Sequence, residues 1–393
     1  MNTSAIKEMS DRYLFPTYAR APLALVRGEG TRAWDADGVE YLDFFSSTVV
    51  TSLGHCHPAL VTALTQQAAK IFHVSNLHYC EPQALLAQRL VEGSFGDRVF
   101  LCNSGAEANE AAIKLARKYG HGPGGGRYEI ITALGSFHGR TLATIAATGQ
   151  EKVRVGFEPT QSGFRYVEYG NIEAIEGAIS DRTIAVMLEP VLGEGGIVVP
   201  PAGYLAELRD LCDRRDLLLI LDEVQTGIGR TGTMFAYQHE NIRPDIISLA
   251  KGLGSGIAIG AMLAREPVAA SFDAGSHGST FGGNALASAV ALAVLDTIER
   301  EHLLDNCAAM GARLHAGLAK LEREGAVAST RGRGLLLGAV LETPGATCVD
   351  RCRERGLIIN CTGGNVLRLA PPLTVSAGEV DRALQILAEV LVP

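Results

Sequence analysis

Two short apolar runs, each ending on a charged side chain beside polar or glycine-rich backbone, most constrain what this chain can fold into. The first, Leu217 to Leu221, has the length and bounding of a buried strand and delivers Asp222 at its C-terminal end. The second, Ile246 to Ala250, delivers Lys251 and then Gly252-Leu253-Gly254. Open α/β sheets hold their ligands outside the carboxyl ends of the strands. Neighbouring strands of this kind would aim a carboxylate and an amine into one crevice.

That pair suits pyridoxal phosphate (PLP). The cofactor needs a lysine to hold it as a Schiff base and a carboxylate facing its pyridine nitrogen, because a protonated ring is an electron sink. Lysine fits because burial or a neighbouring cation lowers its pKa and leaves a neutral, nucleophilic amine. Each residue alone has an ordinary reading. A strand-end Asp caps turns and helices, and a Lys before Gly-Leu-Gly sits in a solvated loop. The cofactor reading rests on the two together and on further motifs.

Those motifs are SGAEANEAAIKLARKYG from Ser104, SFHGRT from Ser136, LEPVLGEGG from Leu188, DEVQTGIGRTG from Asp222, SLAKGLG from Ser248, HGSTFGGN from His277 and VLRLAPPL from Val366. Together they resemble the class III (subgroup II) aminotransferases from about Tyr13 to Leu391, most of all the branch acting on acetylornithine. The resemblance implies an α/β fold of PLP-dependent transferase type I, like aspartate aminotransferase. It has a large domain on a mostly parallel seven-stranded sheet and a smaller α+β domain. The expected division is an N-terminal arm with part of the small domain at 1–56, a large PLP-binding domain at 57–298 and a C-terminal small domain at 299–393.

Composition narrows the partner. Net charge is −8 and no Lys/Arg block appears, which argues against nucleic acid or an anionic membrane and for small molecules. The N-terminal MNTSAIKEMSDRY lacks the apolar segment of a signal peptide, and the longest apolar helix candidate, Ala285 to Leu295, stops at Asp296, too short to span a bilayer. A cytoplasmic protein is expected. The 8 cysteines form no CxxC pair, so neither a disulfide framework nor a zinc knuckle is indicated. His55-Cys56-His57 matches no zinc spacing and reads as a turn before a helix; no metal is expected.

In chain order, residues 1–56 read as extended pieces with a turn at Asp35 to Gly38, and Pro58 to Phe72 as a helix. The strand Val99 to Cys102 turns at Asn103-Ser104-Gly105-Ala106 into a long amphipathic helix, whose free N–H groups could hold a phosphate while Ser104 and Glu107 form a capping box. Glycine-rich His121 to Ile130 lacks both GxGxxG and a P-loop lysine, so it is not read as a nucleotide loop. Further strands are expected at Ile184 to Leu188, Ile259 to Leu263, Gly334 to Leu341, Leu357 to Asn360 and Val366 to Leu369. Helices are expected at Tyr204 to Arg214 and Leu303 to Glu322, and after a capping box at Ser376 and Glu379.

By resemblance, Ser104, Gly105 and Ala106 lie at the PLP phosphate, Phe137 stacks on the ring, His138 flanks it, Val224 packs beneath it and Gln225 bonds its phenolic oxygen. Thr280 would reach the phosphate of a neighbouring subunit, implying a homodimer with shared active sites. Substrate residues implied in the same way are Tyr18, Thr48, Arg140, Ser279, Glu194 and Arg368. Arg140 can fork onto a carboxylate. Glu194 and Arg368 form a gate that releases the arginine when 2-oxoglutarate arrives.

The implied reaction moves the terminal amine of N2-acetyl-L-ornithine to 2-oxoglutarate, an arginine-biosynthetic step, with Lys251 as general base and acid and Asp222 keeping the ring protonated. Departures from the family pattern touch the donor site. Ser47-Thr48-Val49-Val50-Thr51 replaces a GIAVN-like stretch, Leu192 removes an amide expected beside the gate, and Ala258 and Ala285 replace prolines. Succinylornithine, ornithine, 4-aminobutyrate or a carrier-linked amine are the alternative donors. An aminomutase or racemase would share Lys251 and Asp222, but the gate counts against it. A nicotinamide dehydrogenase lacks its GxGxxG.

Overall fold

The structure is a computed structural model that describes residues 1–392; residue 393, the end of the expected C-terminal domain, lies outside the described residues. Thr3–Tyr13 is a helix rather than an extended piece, capped by the Asn2 side chain accepting from Ala5 N at 3.0 Å. None of its residues is buried, so it carries no core-facing stripe for a sequence reading to detect. Strands β1 (Leu25–Glu29), β2 (Arg32–Asp35) and β3 (Glu40–Asp43) follow as an antiparallel meander. The Asp35 carboxylate holds its turn, accepting from Asp37 N and Val39 N at 3.0 and 2.9 Å.

The central sheet contains β4 (Arg98–Cys102), β5 (Glu129–Ala133), β6 (Phe164–Val167), β7 (Thr183–Leu188), β8 (Leu218–Asp222), β9 (Ile246–Leu249) and β10 (Gly260–Ala264). Their order is β4-β10-β9-β8-β7-β5-β6, and only β10 runs against the others. The expected strand at Ile184 to Leu188 begins one residue earlier, and those at Leu217, Val99 and Ile259 fall within one residue of the observed spans. Alternation explains why both faces are apolar. Leu219 and Leu221 of β8 enter one core cluster, Leu218 and Ile220 the other. The helix Gly105–His121 covers the second face with Ile113 and Leu115, and the helix Tyr204–Arg214 covers the first with Leu205, Leu208 and Leu211. Each such side chain contributes roughly 1.5–3 kcal/mol by leaving water. Gly120 admits the loop that follows the first helix, since a Cβ there would lie 2.0 Å from Arg127 O.

The C-terminal strands are β11 (Ser329–Arg333), β12 (Leu336–Val340), β13 (Leu357–Ile358), β14 (Asn360–Thr362) and β15 (Val366–Leu369). β11, β12, β15 and β14 form an antiparallel sheet, while β13 pairs in parallel with β3, so segments from both ends of the chain share one sheet. The run read from sequence as one strand from Leu357 is therefore two short strands committed to different sheets. The Ser376 and Glu379 capping box is formed as expected. At Ser104 only half of one forms: its side chain accepts from Glu107 N at 3.2 Å, but Glu107 reaches Asn103 N instead of Ser104 N. Among the described residues, no helix is long and apolar enough to cross a membrane, and no cluster of His, Cys, Asp and Glu is suited to a metal ion.

Candidate active site

Because β4, β5, β7, β8 and β9 run the same way, their carboxyl ends open on one side of the sheet. There they deliver Ser104, Phe137 with His138, Glu189, Asp222 and Lys251 to a cleft of about 430 Å³, closed by Gly256 to Ile259 ahead of β10. That volume suits a small organic ligand.

Asp222 is buried at the cleft's centre. Its Oδ2 accepts from Asn109 Nδ2 at 2.7 Å and lies 2.8 Å from His138 Nδ1, while Oδ1 accepts from Val224 N at 3.0 Å. With the carboxylate ionised, the His138 proton sits on Nδ1. Asn109 also donates to His138 O at 2.7 Å, so helix, loop and strand end are tied together. Two further buried carboxyls flank this one. Glu189 accepts from Phe137 N at 2.9 Å and Gly193 N at 3.0 Å; burial first, then the Asp222 charge, pushes its pKa up. Glu223 accepts from Thr226 Oγ1, Ala236 N and Tyr237 N at 2.7, 2.9 and 2.9 Å, and burial pushes its pKa up to about 7.

Lys251 stands half-buried where β9 ends, at φ 44°, a left-handed conformation that a non-glycine residue keeps only when its surroundings enforce it. Burial lowers its amine pKa below the ordinary value; Glu194 opposes that shift and Arg368 adds to it. Arg368 is 1% exposed and donates through Nη1 to Glu194 Oε1 at 2.5 Å. Burial raises the Glu194 pKa, but Arg368, Lys251 and its hydrogen bonds more than offset that and hold the carboxyl low. Gln225 joins this pair, accepting from Arg368 Nη1 at 3.2 Å and donating to Glu194 Oε1 at 3.4 Å. At position 192, where the family pattern has an amide, Leu192 is buried and its backbone bridges to Val198.

Ser104, Gly105, Ala106, Phe137, His138, Arg140, Asp222, Val224, Gln225 and Lys251 all line the cleft. Other expected residues do not. Tyr18 is 74% exposed on the N-terminal arm, and Thr280 is exposed. Ser279 Oγ is engaged by Gly282 N at 2.9 Å and Asn103 Nδ2 at 3.2 Å. Thr48 belongs to a turn, Ser46 to Val49, whose φ angles of 48°, 53°, 67° and 65° are all left-handed. Each such residue costs about 1–2 kcal/mol, and Asp43 offsets this by accepting from Phe45 N at 2.9 Å and Ser46 N at 2.8 Å. The turn leads directly to Val50 on the cleft wall. Sequence reasoning missed Asn109, Glu189 and Glu223. Their only signal was a polar residue on an otherwise apolar helix face or at a strand end.

These groups fit PLP. A lysine with a lowered pKa, a buried carboxylate, an aromatic ring at Phe137 and the N-terminus of a long helix converge on one cleft. At that N-terminus a Cβ on Gly105 would come within 2.7 Å of Val224 Cγ1, so only glycine lets the helix start pack against Val224, and its free N–H groups face the cleft where a phosphate can bind.

Comparison with known proteins agrees. The family model for class-III aminotransferases matches residues 15–391. The acetylornithine aminotransferase of Caldanaerobacter subterraneus subsp. tengcongensis is 51% identical over 383 residues, 97% of each chain. The succinylornithine transaminase/acetylornithine aminotransferase of Pseudomonas aeruginosa is 48% identical over 383 residues, 95% of this chain and 94% of that one. The crystal structure of ornithine aminotransferase from Toxoplasma gondii matches with a TM-score of 0.96 at 32% identity, covering 100% of this chain and 95% of that one. The protein belongs to the class III aminotransferases, and PLP is the cofactor its cleft serves.

Proposed function

We propose that the protein transfers the terminal amine of N2-acetyl-L-ornithine to 2-oxoglutarate, forming N-acetyl-L-glutamate 5-semialdehyde and L-glutamate, a step of arginine biosynthesis. The observation that carries this reading is the Glu194–Arg368 pair at 2.5 Å, which lies behind the cleft lining, is bonded to Gln225 of that lining and acts electrostatically on Lys251, because one site must accept a terminal amine and a dicarboxylate in turn. The names borne by relatives about half identical support the donor.

PLP bound here would supply an electron sink for the negative charge that develops as the donor carbon loses its proton. Lys251 would hold the cofactor until the donor amine replaces it, and its released Nζ, whose neutral form burial favours, would then act as the base and acid for the proton of the donor's terminal carbon. Asp222, ionised and oriented by Asn109 and His138, would hold the pyridine nitrogen. Helix N–H groups at Gly105 and Ala106 would hold the phosphate, with Phe137 and Val224 on opposite ring faces. Arg140 binds the donor's carboxylate while Glu194 neutralises Arg368. A dicarboxylate then displaces Glu194 and takes the guanidinium.

A two-fold dimer completes the reading. It is supported by the Thr3–Tyr13 helix that buries nothing, by Phe15 at 85% exposure beside it, and by exposed Leu77, Tyr79 and Phe281 near Thr280. Eight free thiols, four of them buried, favour the reducing cytoplasm.

The test is a half-reaction. Purified holoenzyme mixed with N-acetylornithine alone should release one equivalent of semialdehyde per site, and added 2-oxoglutarate should then yield one equivalent of glutamate. A higher kcat/KM for succinylornithine, ornithine or 4-aminobutyrate would reassign the donor.

A further inference from the structure

The two halves of the gate sit on different parts of the fold, yet one short strand holds both. β14 pairs with β15 so that Asn360 faces Arg368 and Thr362 faces Val366. Residues two apart on a strand share a face, so Asn360 and Thr362 point the same way. Asn360 Oδ1 accepts from Arg368 Nε at 3.0 Å. Thr362 Oγ1 donates to the backbone oxygen of Glu194 at 2.5 Å. Because Arg368 itself bonds Glu194 at 2.5 Å, the four residues close a ring through the strand.

The opposite face of β14 is also fixed. A Cβ on Gly345 would lie 2.7 Å from Cys361 Sγ, so the thiol packs against the start of the helix Ala346–Glu354 and the strand cannot roll. The hairpin turn at Gly363 lies against the gate loop, where a Cβ would stand 3.4 Å from Gly196 Cα. Arg331 of β11 donates to Gly196 O at 2.9 Å, fastening the far end of that loop to the same sheet.

We infer that β14 is a frame for the gate, and that Asn360 and Thr362 are positioning residues that set the balance between the amine donor and the dicarboxylate acceptor. The inference rests on the reading of Glu194 and Arg368 given above. Asn360 is neutral, so it orients the guanidinium without cancelling its charge, and Arg368 keeps its attraction for a carboxylate. Thr362 holds the backbone of Glu194, so the carboxylate returns to Arg368 by side-chain rotation alone. Loss of either bond should move the gate in opposite directions. Without Asn360 the arginine is misaligned for the dicarboxylate. Without the Thr362 donor, Glu194 competes less well for the arginine and the dicarboxylate gains.

The experiment measures glutarate binding to the holoenzyme by calorimetry, since glutarate has two carboxylates and no reacting carbonyl. Asn360→Ala should weaken glutarate about tenfold, the loss of one charge-assisted hydrogen bond. Thr362→Val, which keeps the side-chain shape and removes the donor, should tighten it about two- to fivefold, and Thr362→Ser should restore the native value. In steady state, KM for 2-oxoglutarate should follow the same order while KM for the amine donor stays within about twofold in Asn360→Ala. Shifts of the same sign in Asn360→Ala and Thr362→Val, or native affinity in both, would overturn the frame. Arg368→Ala separates the two ideas. If it leaves glutarate binding intact, the gate fails and the frame with it; if it weakens binding while the β14 variants do not, the frame alone fails.

Discussion

His138 Nδ1 lies 2.8 Å from Asp222 Oδ2, a contact in which the His138 side chain is fully buried and that of Asp222 is 3% exposed. Asn109 shares the same oxygen at 2.7 Å, so the carboxylate is oriented by two donors from other elements. Replacing Asp222 by Ala should therefore act twice. Buried donors left without an acceptor cost about 1–3 kcal/mol of stability, and loss of a preorganised charge should lower kcat about 10²–10³-fold. Thermal midpoints and turnover measured together check both, and near-native turnover would remove Asp222 from the mechanism.

Gly105→Ala should weaken cofactor binding with little loss of fold. The added Cβ would lie 2.7 Å from Val224 Cγ1, and relieving that overlap by about 1–3 kcal/mol of strain corresponds to roughly ten- to a hundredfold in PLP affinity. Titration of the apo-protein with PLP reads this directly. Gly177→Ala, at a helical site with nothing within 4 Å, is the control and should leave affinity unchanged.

The residues that frame this cleft were legible where a strand ends. Asp222 and Lys251 stand out because each follows an apolar run, and a polar side chain there can only face the open end of the sheet. The fold was legible for the same reason, through the all-buried β7, β8 and β9. Asn109 was not, since a single polar residue inside a helix has no partner in sequence; its role appears only when β8 is laid beside the helix. Asn360 was hidden in the same way, because its meeting with Arg368 is a cross-strand register. Tyr18 and Thr280 were assigned by resemblance alone, and within one chain both stay at the surface, outside the cleft.

Glu223 should impose a pH dependence on stability. Its ordinary value is 4.5 and burial raises it to about 7, so the folded protein binds the extra proton across that interval. The stabilising contribution is whole below 4.5 and is lost as pH rises through about 7. Glu223→Gln cannot ionise and escapes that loss. It should be less stable than the native protein at about pH 5, because an amide NH2 replaces one of the two oxygens that accept from Ala236 N, Tyr237 N and Thr226 Oγ1, and the deficit should shrink by at most about 2–3 kcal/mol near pH 8. Urea unfolding at both pH values checks this, and a deficit independent of pH would show that Glu223 stays ionised.

Glu194→Gln should favour dicarboxylates. The substitution preserves shape but leaves the Arg368 charge, 1% exposed, without its partner. An unpaired buried cation should bind an incoming carboxylate more tightly, so KM for 2-oxoglutarate should fall by about tenfold while kcat/KM for the amine donor falls. Unchanged values for both substrates would mean that Glu194 does not gate Arg368.

The most direct measurement is borohydride reduction of the holoenzyme followed by peptide mass mapping. Lys251, at the end of β9 with its pKa lowered by burial, should be the lysine that retains the cofactor mass, and Lys251→Ala should retain none. Cofactor mass on Lys114, Lys118 or any other lysine, or full labelling of the Lys251→Ala variant, would contradict the account.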